Sequence, residues 1–330
     1  MIDRRAFLTG TAGAVLGAAG CRGRERRGTL ILRLSHSMAT GPTSLNSFAE
    51  RFRDRVEAAT AGAVKVRLFP NGTLGQEREI VQQLQEGLVD FMVSGTAIWG
   101  SVAPRLQVLD FPFLWRDWDH VHRIVDGPVG DEAADYQEAA VGVRPLAWGD
   151  SFGFRQVVTR SVDVTAAPQL AGLKIRTIQS AIYVKAIELM GASPTPMAFG
   201  EVYTSLQTGV IDGYEHDSST TLYQRFYEVA RYMARTKHIA GVLGLFGSRI
   251  GLARVPADIR RTIAQAAREA ANDQREMGPK EDASARAALE GYGMTIREFD
   301  HRPFEPRAEQ LWEREGAALG VTSWLKAIRA

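Results

Sequence analysis

Strand and helix signals alternate along this chain from Thr29 onward, and that alternation narrows the possible folds more than any other feature. Thr29-Leu-Ile-Leu-Arg-Leu-Ser-His36 reads as a short strand. From Thr43 to Thr60, Leu45, Phe48, Phe52 and Val56 share one helical face, with Arg51, Arg53 and Asp54 on the others. Ala63 to Pro70 alternates with a period of two and stops at the turn pair Asn71-Gly72. Glu77 to Glu86 reads as a helix closed by Gly87, and Val89 to Val93 as the next strand. This order predicts an α/β fold with a largely parallel sheet. A second series is expected from about Gly142, with strands at Val143–Trp148, Gly153–Thr159, Leu173–Thr177 and Val210–Gly213, and helices around Ala181–Met190 and Glu201–Gln207. The end reads as mostly helical, with Ile259, Ile263, Ala267 and Ala270 on one face of Pro256–Glu290 and a bend or restart expected at Gly278-Pro279. The coarse reading is two α/β lobes with a helical tail.

Charge and motif content exclude several classes of function. Forty Lys and Arg against 38 Asp and Glu leave a formal charge of +2 over 330 residues, too little for a field that grips nucleic acid. Neither a Walker-type G-x-x-x-x-G-K-[ST] loop nor a G-x-G-x-x-G turn occurs, and no H-E-x-x-H is present. His120 and His122 lack the four-residue spacing of a helical metal pair and read as a solvated pair in a charged segment. No metal and no cofactor is expected.

The first residues read as a targeting segment. Arg4-Arg5 before Ala6-Phe7-Leu8 resembles the twin-arginine export signature, and the apolar run that follows ends in Ala18-Ala-Gly-Cys21. Small residues before a cysteine resemble a lipoprotein cleavage box, with Cys21 as the lipidated residue; a soluble export signal cut nearby is the alternative. Cys21 is the only cysteine, which rules out an internal disulfide. Residues 22–28 read as a basic tether beside a membrane.

Two arginines stand out in the second series. Arg155, in Gly153-Phe-Arg-Gln-Val-Val, and Arg176, in Gly172-Leu-Lys-Ile-Arg-Thr, both lie on strands with apolar neighbours. At a strand end facing a cleft, a guanidinium fork suits bidentate capture of a carboxylate. An arginine on a solvated strand face, or in a structural ion pair, gives the same pattern.

The segment Gly191-Ala-Ser-Pro-Thr-Pro-Met-Ala-Phe-Gly-Glu-Val-Tyr-Thr-Ser-Leu-Gln-Thr-Gly-Val-Ile-Asp-Gly213 resembles the signature of the TRAP (tripartite ATP-independent periplasmic) transporter solute-binding proteins, DctP-like family. Phe69–Arg78, Leu84–Phe91, Leu170–Arg176 and Arg225–Ala230 fit the same family in the same order, so the resemblance covers about residues 29–325. It implies a two-lobed periplasmic binding protein fold, type II-like, each lobe a mixed β-sheet flanked by helices, with a long helical C-terminal region. The boundaries expected are 29–151 for lobe I, completed by about 242–281, and 152–241 for lobe II, completed by about 282–330. The resemblance further implies a periplasmic monomer that is not an enzyme, captures a small organic acid and delivers it to membrane permease subunits. Arg176 matches the arginine that makes the main salt bridge to the ligand, Arg155 a second that assists, and Phe199 the aromatic that lines the pocket. His216 stands where an asparagine is common, and His238 matches a position near the pocket.

Glu77 matches a position that accepts ligand hydroxyls; a helix-terminal carboxylate favoured by the macrodipole accounts for it equally well. His36 follows the first strand, where a loop histidine is equally at home. Ser94 and Gly95 follow the strand at Val89–Val93, where open α/β sheets bind ligands. Trp99 and Trp148 are candidates to stack on a ligand or, more commonly, to fill a core. With Gln179 and Asp217, these polar groups point to a sugar acid or other hydroxylated carboxylate. A periplasmic sugar-acid enzyme with Glu77, Glu215 or His216 as base, and a ligand sensor docking on a receptor, are the alternatives.

Overall fold

The computed structural model describes residues 29–330, so the leader, Cys21 and the tether lie outside the described residues. In chain order the strands are β1 (Leu30–Ser35), β2 (Val64–Phe69), β3 (Phe91–Gly95), β4 (Val143–Asp150), β5 (Arg155–Thr159), β6 (Lys174–Thr177), β7 (Ser193–Pro196), β8 (Gly213–His216), β9 (Tyr232–Ile239), β10 (Val242–Ser248) and β11 (Thr295–Glu298). They form two sheets, ordered β2-β1-β3-β10-β4 and β11-β9-β5-β8-β6-β7.

Both sheets are mixed rather than largely parallel. In the first, β1 runs parallel to β2 and β3, while β10 is antiparallel to β3 and β4. In the second, β5 is antiparallel to β8 and β9, and β6 is parallel to β7 and β8. The exceptions are the two strands that enter from the other sheet. β5 follows β4 through residues 151–154, and β10 follows β9 through Ala240-Gly241. Neither link carries the crossover helix that parallel neighbours require. β4 therefore closes the first sheet, and the second series starts at β5 rather than near Gly142.

Local patterning accounts for the first lobe. On β1 and β2, Leu32, Leu34, Val64 and Val66 point inward, and Ile31, Arg33, Lys65 and Arg67 point away or stay partly exposed. Thr43 caps the helix Ser44–Ala59 by accepting from the Asn46 N–H, and the helix buries Leu45, Phe48, Phe52 and Val56. Against it lies the helix Ala257–Gly291, whose Ala266, Ala267, Ala270 and Ala271 are small enough for close approach. At about 1.5 Å per residue this helix reaches roughly 50 Å. Its far half meets the helix Ser218–Tyr223 and β11, so it ties both lobes together.

Two expectations are corrected. The helix Ala257–Gly291 does not restart at Pro279; burial of Gln274 and Gly278 before the proline, and of Ala285 and Leu289 after it, holds both halves. β8 begins at Gly213 instead of ending there, because the helix Val202–Thr208 ends at Gly209 (φ +79°) and the next residues complete the turn. Of residues 282–330, β11 joins the second sheet. The helices Glu305–Ala318 and Thr322–Arg329 bury Leu311, Trp312, Leu325 and Ile328 in a core shared with Leu106, Val121 and Ala133 of the first lobe and Ile182 and Ala186 of the second. Trp324 Nε1 also donates to Glu132, and Trp312 Nε1 to the Pro112 carbonyl at 2.8 Å.

Candidate functional site

The strand ends of the two sheets face each other across a small cavity of about 40 Å³. Ser37, Ser44, Glu77 and Gly95 line it from the first lobe, and Arg155, Arg176, Tyr183, Phe199 and His216 from the second. Ser151 and Gly241, in the two links between sheets, complete the wall.

Arg176 sits on β6, almost fully buried. Its Nε and Nη2 donate to the Met197 carbonyl at 3.2 and 2.8 Å, which fixes the plane of the guanidinium. Among the described residues no carboxylate lies within ion-pair distance of it. The remaining N–H bonds, on Nη1 and Nη2, form a free fork beside the Phe199 ring, whose centre is 5.8 Å from the guanidinium carbon. Burial, with the neighbouring Arg155 charge, lowers its pKa to about 10, against the pull of Glu215 and Glu77, so it stays cationic at neutral pH. A buried cation without a partner is costly unless an anion joins it.

Arg155 is in the opposite state. On β5, it is gripped by Glu215 of β8: Nε donates to Oε2, and Nη2 donates to Oε1 at 3.0 Å and to the Glu215 carbonyl at 2.9 Å. Burial alone would raise the Glu215 carboxyl, but Arg155 and His238 outweigh it and bring it to about 2. Behind this pair, His238 is fully buried with Nε2 3.7 Å from Glu215 Oε2 and Nδ1 2.8 Å from Thr236 Oγ1. Tyr183 faces Arg155 at 5.3 Å, and its hydroxyl donates to Asp110 Oδ1 at 3.2 Å.

His216 ends β8 beside the cleft. Its Nδ1 is 2.7 Å from Asp217 Oδ2 and its Nε2 is 3.5 Å from Arg155 Nη1. Burial and then the Arg155 charge lower its pKa, leaving a neutral ring. Glu77, first in the helix Glu77–Gln85, accepts from Ser37 Oγ at 3.0 Å; burial raises its pKa against Ser37 and the two arginines.

Other sequence candidates fall elsewhere. Asp217 caps the helix Ser218–Tyr223, taking the Thr220 N–H on Oδ1 at 2.8 Å and the Thr220 hydroxyl on Oδ2 at 2.9 Å. Ser94 is buried and accepts from Trp99 Nε1 at 3.1 Å. His36 is buried off the cavity, and burial takes its pKa down to about 4. Gln179 gives its carbonyl to Arg78 at the cleft edge. Trp99 and Trp148 pack on Phe246 in the core. His120 and His122 are no solvated pair: His120 Nε2 meets the Ile328 carbonyl at 2.8 Å, and His122 Nε2 meets Asp150 Oδ2 at 2.8 Å. Tyr183, Asp110 and Ser37 were not singled out from sequence, where nothing ties them to residues far along the chain. Among the described residues no group of three or more His, Cys, Asp or Glu is placed to hold a metal.

The profile described as "Bacterial extracellular solute-binding protein, family 7" matches residues 34–317. The chain belongs to this family of TRAP solute-binding proteins. It is 31% identical over 257 residues to the 2,3-diketo-L-gulonate-binding periplasmic protein YiaO of Escherichia coli, covering 78% of each. A TRAP solute-binding protein of Polaromonas, solved bound to D-erythronate, superposes with a TM-score of 0.87 at 27% identity, over 91% of this chain and 98% of that one. One from Chromohalobacter salexigens, with bound D-glucuronate, gives 0.85 at 28% identity, over 90% and 99%. These relatives are binding proteins, and the TRAP binding protein described here is likewise not an enzyme. The family is periplasmic and serves membrane permeases.

Proposed function

We propose that this chain captures a sugar acid, or another hydroxylated carboxylate, by an ion pair with Arg176 between its lobes, and delivers it to a TRAP permease. The observation that carries this reading is the buried Arg176 fork, held by Met197 and lacking an anion. A carboxylate docking there satisfies the free N–H bonds and compensates the charge in one step. Phe199 walls one side, while Ser37, Glu77 and His216 offer partners for hydroxyls. Sugar acids are named as ligands of the similar proteins from Escherichia coli, Polaromonas and Chromohalobacter salexigens, which supports the ligand class. A cavity of about 40 Å³ holds a few waters, so admitting such an acid requires the lobes to part and reclose. The links at 151–154 and 240–241, with the helix Ala257–Gly291, are where that motion concentrates. The mature protein is proposed to be a periplasmic monomer tethered through a lipid on Cys21.

Calorimetry on residues 22–330 tests the reading with D-glucuronate, D-galacturonate, D-erythronate and 2,3-diketo-L-gulonate, beside neutral glucose and galactose. At least one acid binds, and Arg176→Ala weakens it by about 2–5 kcal/mol, the range for breaking a buried charge pair. Equal binding of a neutral sugar, or an Arg176→Ala affinity within twofold of wild type, overturns it.

A further inference from the structure

We propose that the cleft selects monocarboxylates against dicarboxylates, and that Glu215 sets this selectivity by consuming the charge of Arg155. The inference rests on the Arg176–carboxylate reading above and narrows it. Two arginines reach the cavity, which at first sight suits an acid charged at both ends. Their surroundings say otherwise. Only Arg176 lacks an anion, whereas Arg155 is held on two of its nitrogens by Glu215, a side chain with no exposure at all. The third nitrogen of Arg155 faces the neutral His216 ring at 3.5 Å, and a tyrosine face covers the guanidinium.

Apart from the two arginines, the charged group lining the cavity and those just behind its wall are acidic. Glu77 opens onto it from the first lobe. Asp217 and Asp110 stand behind His216 and Tyr183. Among the described residues no lysine lines the cavity, and Arg78, outside it beside Glu77 at the edge, is exposed to water and gives Nη2 to the Gln179 carbonyl at 2.6 Å. One carboxylate can therefore be matched at Arg176. A second, anywhere inside the cavity, meets an already neutral pair or a carboxylate of like charge, away from water, and keeps its full desolvation cost. A terminal hydroxymethyl at the same place meets hydrogen-bond acceptors instead.

The test compares acyclic acids differing only in one end, CH2OH against carboxylate: D-galactonate with galactarate, D-gluconate with D-glucarate, and D-erythronate with meso-tartrate. Calorimetry on the intact mature chain at neutral pH is expected to show, for any pair that binds, the monoacid at least tenfold tighter. In Glu215→Gln, checked for folding by circular dichroism, the freed Arg155 charge narrows that gap. If this variant does not fold, the wild-type comparison decides. A diacid binding as tightly as its partner overturns the selectivity while leaving the Arg176 reading intact. If neither these acids nor the uronates and 2,3-diketo-L-gulonate bind, or if Arg176→Ala leaves monoacid binding unchanged, the carboxylate reading fails and the selectivity falls with it; if a uronate binds but no member of any pair does, the selectivity alone is overturned.

Discussion

The Arg176 guanidinium and the Met197 carbonyl meet at two points, Nε–H at 3.2 Å and Nη2–H at 2.8 Å. Met197 is itself pinned to β6, since its N–H donates to the Thr177 carbonyl at 3.2 Å. Two residues on, Phe199 supplies the ring beside the same guanidinium. One short segment thus sets both the plane of the arginine and the wall along its free edge, which is how a long flexible side chain becomes a fixed fork.

That geometry separates Arg176→Lys from a mere change of bulk. A lysine keeps the charge but cannot both hold the Met197 carbonyl and present a planar fork. Affinity for the bound acid should fall at least about tenfold, or roughly 1.4 kcal/mol, by calorimetry, less than for Arg176→Ala. Equal affinity for Lys and Arg would mean the site reads charge alone.

Arg155 should behave as a structural residue first. Its removal leaves Glu215 ionised and buried without its partner, so Arg155→Ala is expected to cost about 3–5 kcal/mol in urea unfolding. Replacing both, as Arg155→Met with Glu215→Leu, should cost less than the two single changes added together. Additive losses would show that the pair is not coupled.

This pair also marks where the sequence stops being legible. The elements of the first lobe follow from local periodicity, and β1, β2 and the helix Ser44–Ala59 fall within a residue or two of their expected ends. The charge state of Arg155 depends on a glutamate 60 residues away, brought opposite by the register that pairs Val157 with Glu215. A strand expected to stop at Gly213 hides that register. The one local hint is an acidic residue inside a buried four-residue strand, Gly213–His216. The same limit applies to the last two helices: their apolar residues are visible in sequence, but their partners lie up to some 200 positions upstream, as with Trp312 on Pro112.

Asp217, chosen from sequence for its polarity, is expected to matter through its helix. Asp217→Ala removes the acceptor for the Thr220 N–H and hydroxyl, and the loss of an N-cap costs about 1–2 kcal/mol of stability. Affinity for the acid should change far less than in Arg176→Ala. A calorimetric loss matching that of Arg176→Ala would place Asp217 among the groups that hold the ligand.

Two buried acids should leave opposite marks on the pH dependence of unfolding. Glu215 falls from 4.5 to about 2 on folding, because Arg155 and His238 outweigh the effect of burial. As pH drops, the unfolded chain takes up this proton first, so the stability Glu215 contributes above about pH 4.5 is lost progressively toward pH 2. Asp110 moves the other way, from 3.8 to about 7, because burial dominates the hydrogen bonds from Thr96 and Tyr183. Between about pH 4 and 7 the folded protein keeps that proton while the unfolded chain releases it, so this contribution falls as pH rises. His36, lowered by burial to about 4, slopes oppositely over part of the same window. The difference between wild type and Asp110→Asn therefore isolates Asp110. Urea midpoints taken from pH 4 to 8 should show the variant gaining on wild type steadily up to about pH 7 and then levelling. A difference that does not vary with pH would mean Asp110 is ionised throughout, with Thr96 and Tyr183 compensating its burial.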